Sequence, residues 1–143
     1  MSVEENKAIV RRFVDNVNQA NFDGLDELVV SDYVDHNAFP GQEPGREGLK
    51  KAYAMFLAAF PDVYFILEDV IAEGDKVVGR GVISGTHKGE FFGVPPTGKQ
   101  VKWTGTRTFT LKGGKLTEGW IDLDMLGLMQ QLGAGNAPGQ TAA

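Results

Sequence analysis

The chain has 143 residues, 42% hydrophobic and 23% charged, an ordinary globular composition with enough apolar residues for one hydrophobic core. A net charge of −5 without any basic cluster excludes the cationic stripe that nucleic-acid binders present, so no nucleic-acid partner is expected. The lack of cysteine removes disulfides, thiolate nucleophiles and thiolate metal ligands.

The acidic start, Met1 to Glu5, has no apolar h-region, which predicts no signal peptide. The apolar runs are too short and too often interrupted to cross a bilayer, so the expectation is a cytoplasmic protein with no membrane partner. Ser2 and Glu5 have capping-box spacing, and Ile9, Val10, Phe13, Val14 and Val17 recur at helical spacing, predicting a helix to about Ala20. Asn21 and Asp23 suit the start of a short second helix carrying Leu25, Leu28 and Val29. Ser31 to Asn37 reads as a short strand or extended turn. The Pro- and Gly-containing stretch from Phe39 to Glu47 reads as a loop. A third helix places Leu49, Tyr53, Phe56, Leu57 and Phe60 on one side, and Pro61 ends it.

Strands follow. Val63–Ala72 and Val77–Thr86 flank the turn Glu73-Gly74-Asp75, and Gly113-Gly114 joins the strand of Trp103 to Leu116–Leu123. Met125, Leu126, Leu128, Met129 and Leu132 supply one or two closing helical turns. Residues 1–133 are expected to form one domain, and 134–143 a flexible tail. Helices first and strands afterwards predict an α+β fold. In this fold a curved, largely antiparallel (mixed) sheet wraps around the N-terminal helices as a cone-shaped α+β barrel with an interior pocket.

Within Val101–Leu111 the alternation is nearly perfect. Val101, Trp103, Gly105, Arg107, Phe109 and Leu111 share one face, and Lys102 with Thr104, Thr106, Thr108 and Thr110 share the other. The apolar face therefore carries an arginine, whose guanidinium stays charged and needs a carboxylate, an anion or trapped water. Gly79, Gly81 and Gly105 remove side-chain volume from the same side, which either coils the sheet or leaves room for a ligand.

Four stretches together resemble the SnoaL-like polyketide cyclase family: Glu5-Asn6-Lys7-Ala8-Ile9-Val10-Arg11-Arg12-Phe13, Asp32-Tyr33-Val34-Asp35-His36, Gly85 through Lys99, and Gly127 through Gly133. The resemblance implies the cone-shaped fold of the nuclear-transport-factor-like superfamily, a small-molecule pocket, commonly a homodimer, and no cofactor. It also implies an acid/base aspartate on the last strand, three residues before a second aspartate. Counting back from Asp124, that position is Ile121, and the position of the cyclase histidine is Arg107, so both depart from the cyclase pattern.

The candidate catalytic residues are Arg107, Asp122, Asp124 and His36. Arg107 would stabilise negative charge or hold an aspartate ionised. Asp122 would be a general base if a bulge turned it inward; by strict alternation it lies with Glu118 and Trp120, opposite Ile121. Asp124 stands where it would N-cap the terminal helix, or else pair with Arg107. His36 has a side chain suited to proton transfer. Tyr33, Phe56, Phe92, Trp103 and Phe109 are the candidate substrate-binding aromatics, although single aromatics of this kind are more often core than ligand contacts. Two distant histidines without cysteine give no metal-ligand spacing, so no metal and no cofactor are expected.

The expected ligand is a hydrophobic, oxygenated small molecule, polyketide- or steroid-like, handled by acid/base chemistry of cyclase, isomerase or hydroxylase type. The alternatives are a non-catalytic binding protein, or an epoxide hydrolase-like enzyme using Arg107 with an aspartate. A homodimer through the sheet is expected, with Trp120 in the contact.

Overall fold

The computed structural model describes residues 1–134, and the segment expected as a tail lies, beyond Ala134, outside the described residues. Helix α1 runs Val3–Asn18 and begins with the expected capping box: the Ser2 hydroxyl accepts from Glu5 N, and the Glu5 carboxylate accepts from Ser2 N. It stops two residues short of Ala20, which turns to φ 55°. The expected short helix is a 3₁₀ turn, Asp23–Glu27, whose first turn donates Gly24 N–H to the Asn21 side chain. Next come strand β1 (Val29–Asp35) and helix α2 (Gly45–Ala59). Strands β2 (Tyr64–Glu73), β3 (Lys76–Thr86), β4 (Gln100–Lys112) and β5 (Lys115–Leu123) follow, then helix α3 (Met125–Gln131).

The sheet order is β1-β5-β4-β3-β2. All neighbours are antiparallel except β1 with β5, a parallel pair that the long connection through α2 and three strands permits. The sheet curves around the helices and stays open, with β1 and β2 at its edges. A register shift between Leu67 and Asp69 bends β2 where it faces Gly81. A Cβ at Gly81 would fall on the Ile66 carbonyl oxygen, so this bend requires glycine.

Helix α1 packs across β2 and β3, α2 against β1, and α3 against β4. Two apolar clusters result. The first joins Val10, Phe13, Leu25, Tyr33, Tyr53, Phe109 and Leu116; the second joins Phe56, Phe60, Phe91, Trp103 and Leu128.

Three side-chain amides complete the sheet where strand partners are missing. Asn18 bonds both the N–H and the C=O of Phe65 on edge strand β2, at 2.8 and 2.9 Å. Asn37 does the same to Ile121 just past the end of β1, at 2.8 and 2.6 Å. Gln131, on α3, does so to Lys102 beyond the reach of β5, at 3.0 and 2.8 Å. Each amide satisfies one donor and one acceptor that the ladder leaves open.

Candidate functional site

Arg107 stands on the inner face of β4, in register with Gly79 of β3 on one side and Ile121 of β5 on the other. The alternation read from Val101–Leu111 is thus preserved across three strands. Its partner is Asp35, at the end of β1. Arg107 Nη2 donates to Asp35 Oδ1 at 2.9 Å and to the Tyr33 hydroxyl at 3.3 Å, and the Tyr33 hydroxyl donates to the same Oδ1 at 2.9 Å. Gln42 Nε2 donates to Asp35 Oδ2 at 3.0 Å, while Gln42 Oε1 accepts from Phe39 N at 3.3 Å. The carboxylate therefore receives three hydrogen bonds from three segments. The pair is deeply placed, with side chains 12% (Arg107) and 5% (Asp35) exposed.

This cluster depends on a second glycine. Gly119 of β5 lies beside Phe109, and a Cβ there would fall on the Tyr33 hydroxyl oxygen. Glycine at 119 is what admits the phenol to the arginine.

The guanidinium is left with donors to spare. Arg107 Nε is buried and has no partner, and Nη1 makes no hydrogen bond among the described residues. Tyr53, on α2, has its ring centroid 5.8 Å from Arg107 Cζ, and its hydroxyl has no hydrogen-bond partner among the described residues. Burial raises the Tyr53 and Tyr33 hydroxyls above their usual range, so both remain protonated donors. Burial opposes the charge on Arg107, but the Tyr53 and Tyr33 oxygens and the Asp35 carboxylate outweigh it, and the group lies above its ordinary value. It is a fixed cation.

Arg107 and Tyr53 border two cavities. The larger is a cleft of about 520 Å³, open solvent at its mouth included, walled by Val10, Phe13, Phe65, Leu67, Phe109 and Leu123. Gly79, Gly81 and Gly105 lie along it, and a Cβ at them would meet Leu67, the Ile66 carbonyl, and Leu123 with Ile83, respectively. The smaller, of about 240 Å³, lies beneath the Phe39–Gln42 loop and is bounded by Asp35, Gln42, Phe56 and Ile121.

The other expected acid/base residues sit elsewhere. Asp122 pairs in register with Thr106, on the outer face of the sheet, and is exposed; no bulge turns it inward, and Ile121 faces the cleft instead. Asp124 is exposed and caps α3, its Oδ1 accepting from Gly127 N at 2.9 Å, and it makes no pair with Arg107. His36 is also outside: its ring stacks on Trp120 at 4.6 Å and its Nε2 lies 3.5 Å from Glu118 Oε1. Alternation explains this, since His36 continues the outward side of β1 with Val34, while Tyr33 and Asp35 point in.

The aromatic candidates divide. Phe109 walls the larger cleft, Phe56 the smaller cavity, and Tyr33 belongs to the arginine cluster. Trp103 does not line the cleft: it is buried in the second core cluster against Phe56 and Phe60. Phe92 is a half-exposed loop residue at φ 44°, 5.8 Å from Phe39. Sequence reasoning missed Asp35, Tyr53 and Gln42. For Asp35 the signal was present, because the spacing Tyr33-x-Asp35 puts both on one strand face.

Among the described residues no group of three His, Asp or Glu could hold a metal ion, and no helix is long and apolar enough to cross a membrane.

An open α+β cone with a mostly apolar interior cleft and one fixed cation defines a class of small-molecule-binding folds. The sequence matches the SnoaL-like polyketide cyclase family over residues 7–132, and the chain belongs to that family. Among solved structures it is similar to TsrD from Streptomyces laurentii, with 28% identity and TM-score 0.86, covering 94% of this chain and 98% of that one. It is also similar to IdmH, a candidate polyketide cyclase from Streptomyces antibioticus, with 30% identity and TM-score 0.78, covering 90% and 98%. A third is a SnoaL-like polyketide cyclase from Agrobacterium tumefaciens, with 25% identity and TM-score 0.77, covering 93% and 100%. No curated protein compared with the sequence matches it.

Proposed function

We propose that this protein binds a hydrophobic, oxygenated small molecule in the cleft, with an oxygen of the ligand held by Arg107 and Tyr53. The observation that carries the reading is the buried Arg107 Nε, which has no hydrogen-bond partner, with the Tyr53 ring 5.8 Å from the guanidinium, beside an apolar cleft. A buried donor without an acceptor is costly, and an incoming carbonyl supplies what Arg107 lacks. Donors from Arg107 and Tyr53 on one ligand oxygen would also stabilise negative charge that develops there, the electrostatic half of enolate chemistry. The proton-transfer half has little support. Asp122, Asp124 and His36 lie outside the cleft, and the three hydrogen bonds on Asp35 favour its role as the partner of Arg107. Ile121, where the cyclase pattern has its acid/base aspartate, supports binding and polarisation of the ligand over aldol ring closure.

The test is binding of acetonaphthone, a fused-ring aromatic ketone, followed by thermal shift. Ligand that binds only the folded state raises the melting temperature by mass action. A shift that grows with ketone concentration and weakens in Tyr53→Phe is expected. A wild-type protein indifferent to the ketone would end this reading. Within the same proposal the outer sheet face, with Ile66, Ile71 and Trp120, forms a homodimer contact. Light scattering that finds only monomer at high protein concentration would overturn that part.

A further inference from the structure

We infer that Asp35 sets the charge class of the ligand, so that the cleft accepts a neutral oxygen acceptor (ketone, ester, amide or quinone carbonyl) and rejects a carboxylate. This deepens the reading above and rests on it.

Arg107 borders both cavities and Asp35 only the smaller one, and among the described residues no other Lys, Arg, Asp or Glu lines either. From α1 the cleft receives Val10, Phe13 and Val14; from β5, Ile121 and Leu123; from α2, the neutral phenol of Tyr53. The charge of Arg107 is already balanced within 2.9 Å, leaving a site of zero net charge. A carboxylate entering the cleft would be drawn to the guanidinium and repelled by Asp35, which holds Nη2 and borders only the smaller cavity, so part of the attraction is offset. It would still lose its hydration in an apolar cleft, and the weakened attraction compensates only part of that cost. A neutral carbonyl surrenders far less hydration and still receives charge-assisted hydrogen bonds from the free N–H groups of Arg107. An arginine on an interior face suggests an anion site when read alone. Paired with Asp35, it becomes a strong donor to neutral oxygen.

Dissociation constants of acetonaphthone, naphthoate and naphthalene at neutral pH, for wild type and Asp35→Asn, test this. The wild type binds the ketone at least about tenfold more tightly than naphthoate, because the anion pays its desolvation without gaining a net countercharge. Asp35→Asn keeps an acceptor for Arg107 and Tyr33 but frees one positive charge, and it moves the ketone-to-naphthoate ratio at least about tenfold toward naphthoate. Wild-type naphthoate binding equal to or tighter than ketone binding overturns the inference while leaving a ligand-binding cleft in place. An unchanged ratio in folded Asp35→Asn overturns it as well. If that variant does not fold, the wild-type ranking alone decides. Naphthalene binding as tightly as the ketone removes the oxygen recognition underneath, and no binding by any of the three probes removes both readings.

Discussion

Two arginines stand on opposite faces of the same sheet. Arg80 on β3 pairs in register with Thr106, the residue immediately before Arg107. Each has a close carboxylate: Asp69 lies 2.6 Å from Arg80, and Asp35 lies 2.9 Å from Arg107. The distances are similar and the surroundings are opposite. Arg80 and Asp69 are about half exposed, at 51% and 50%, with water ready to replace either partner. Arg107 and Asp35 are nearly enclosed, among Tyr33, Tyr53 and Phe109. An exposed pair is a screened convenience, whereas an enclosed one is an obligation, because neither member can be left alone.

The contrast is broken most severely by Asp35→Ala. Stranding a buried guanidinium is expected to cost about 3–5 kcal/mol, read by urea denaturation. Gly119→Ala attacks the same cluster sterically, pushing the Tyr33 hydroxyl off the arginine at a cost of about 1–3 kcal/mol. Adding Tyr33→Phe removes the atom that clashes, so the double variant should recover part of the loss. On the outer face, Asp69→Ala is expected to change stability little, and raising the salt concentration should erase the difference.

The smallest effect concerns pH. Asp62 accepts from Thr86 N at 2.7 Å and from the Thr86 hydroxyl at 2.8 Å, and these bonds, the backbone one foremost, hold its carboxyl below its ordinary value. A carboxyl lowered by folding contributes stability above its unfolded pKa and loses it as pH falls through the folded one. The melting-temperature gap between wild type and Asp62→Asn should therefore be constant near neutrality and close in strong acid.

Strand alternation explains both what could be read ahead of the structure and what could not. It put Arg107 inward, aligned Gly79, Gly81 and Gly105 along the cleft, and set Asp122 on the outer face with Trp120. The capping box and the hairpin glycines fixed local boundaries for the same reason: each rests on interactions within a few residues. The partner of Arg107 was harder. Choosing His36 from Tyr33-Val34-Asp35-His36 weighed side-chain chemistry above strand parity, and parity decides which residue reaches the interior. Tyr53 and Gln42 join the site through packing of α2 and its preceding loop against β1, a contact between distant segments that no local pattern encodes. Trp103 illustrates the reverse limit. It lies on the inner face as alternation requires, but α3 and Phe60 cover that end of the sheet and make it core.

The amides of Asn18, Asn37 and Gln131 carry a liability of their own. Each presents one donor and one acceptor to a single backbone unit, and hydrolysis of the amide to an acid would replace the donor with an acceptor facing the backbone carbonyl. One such lesion at Asn18 would uncover the Phe65 position on the outermost strand, where unpaired backbone groups can recruit another chain. Ageing chemistry at three side chains, rather than loss of the core, is the route by which this open sheet would become sticky.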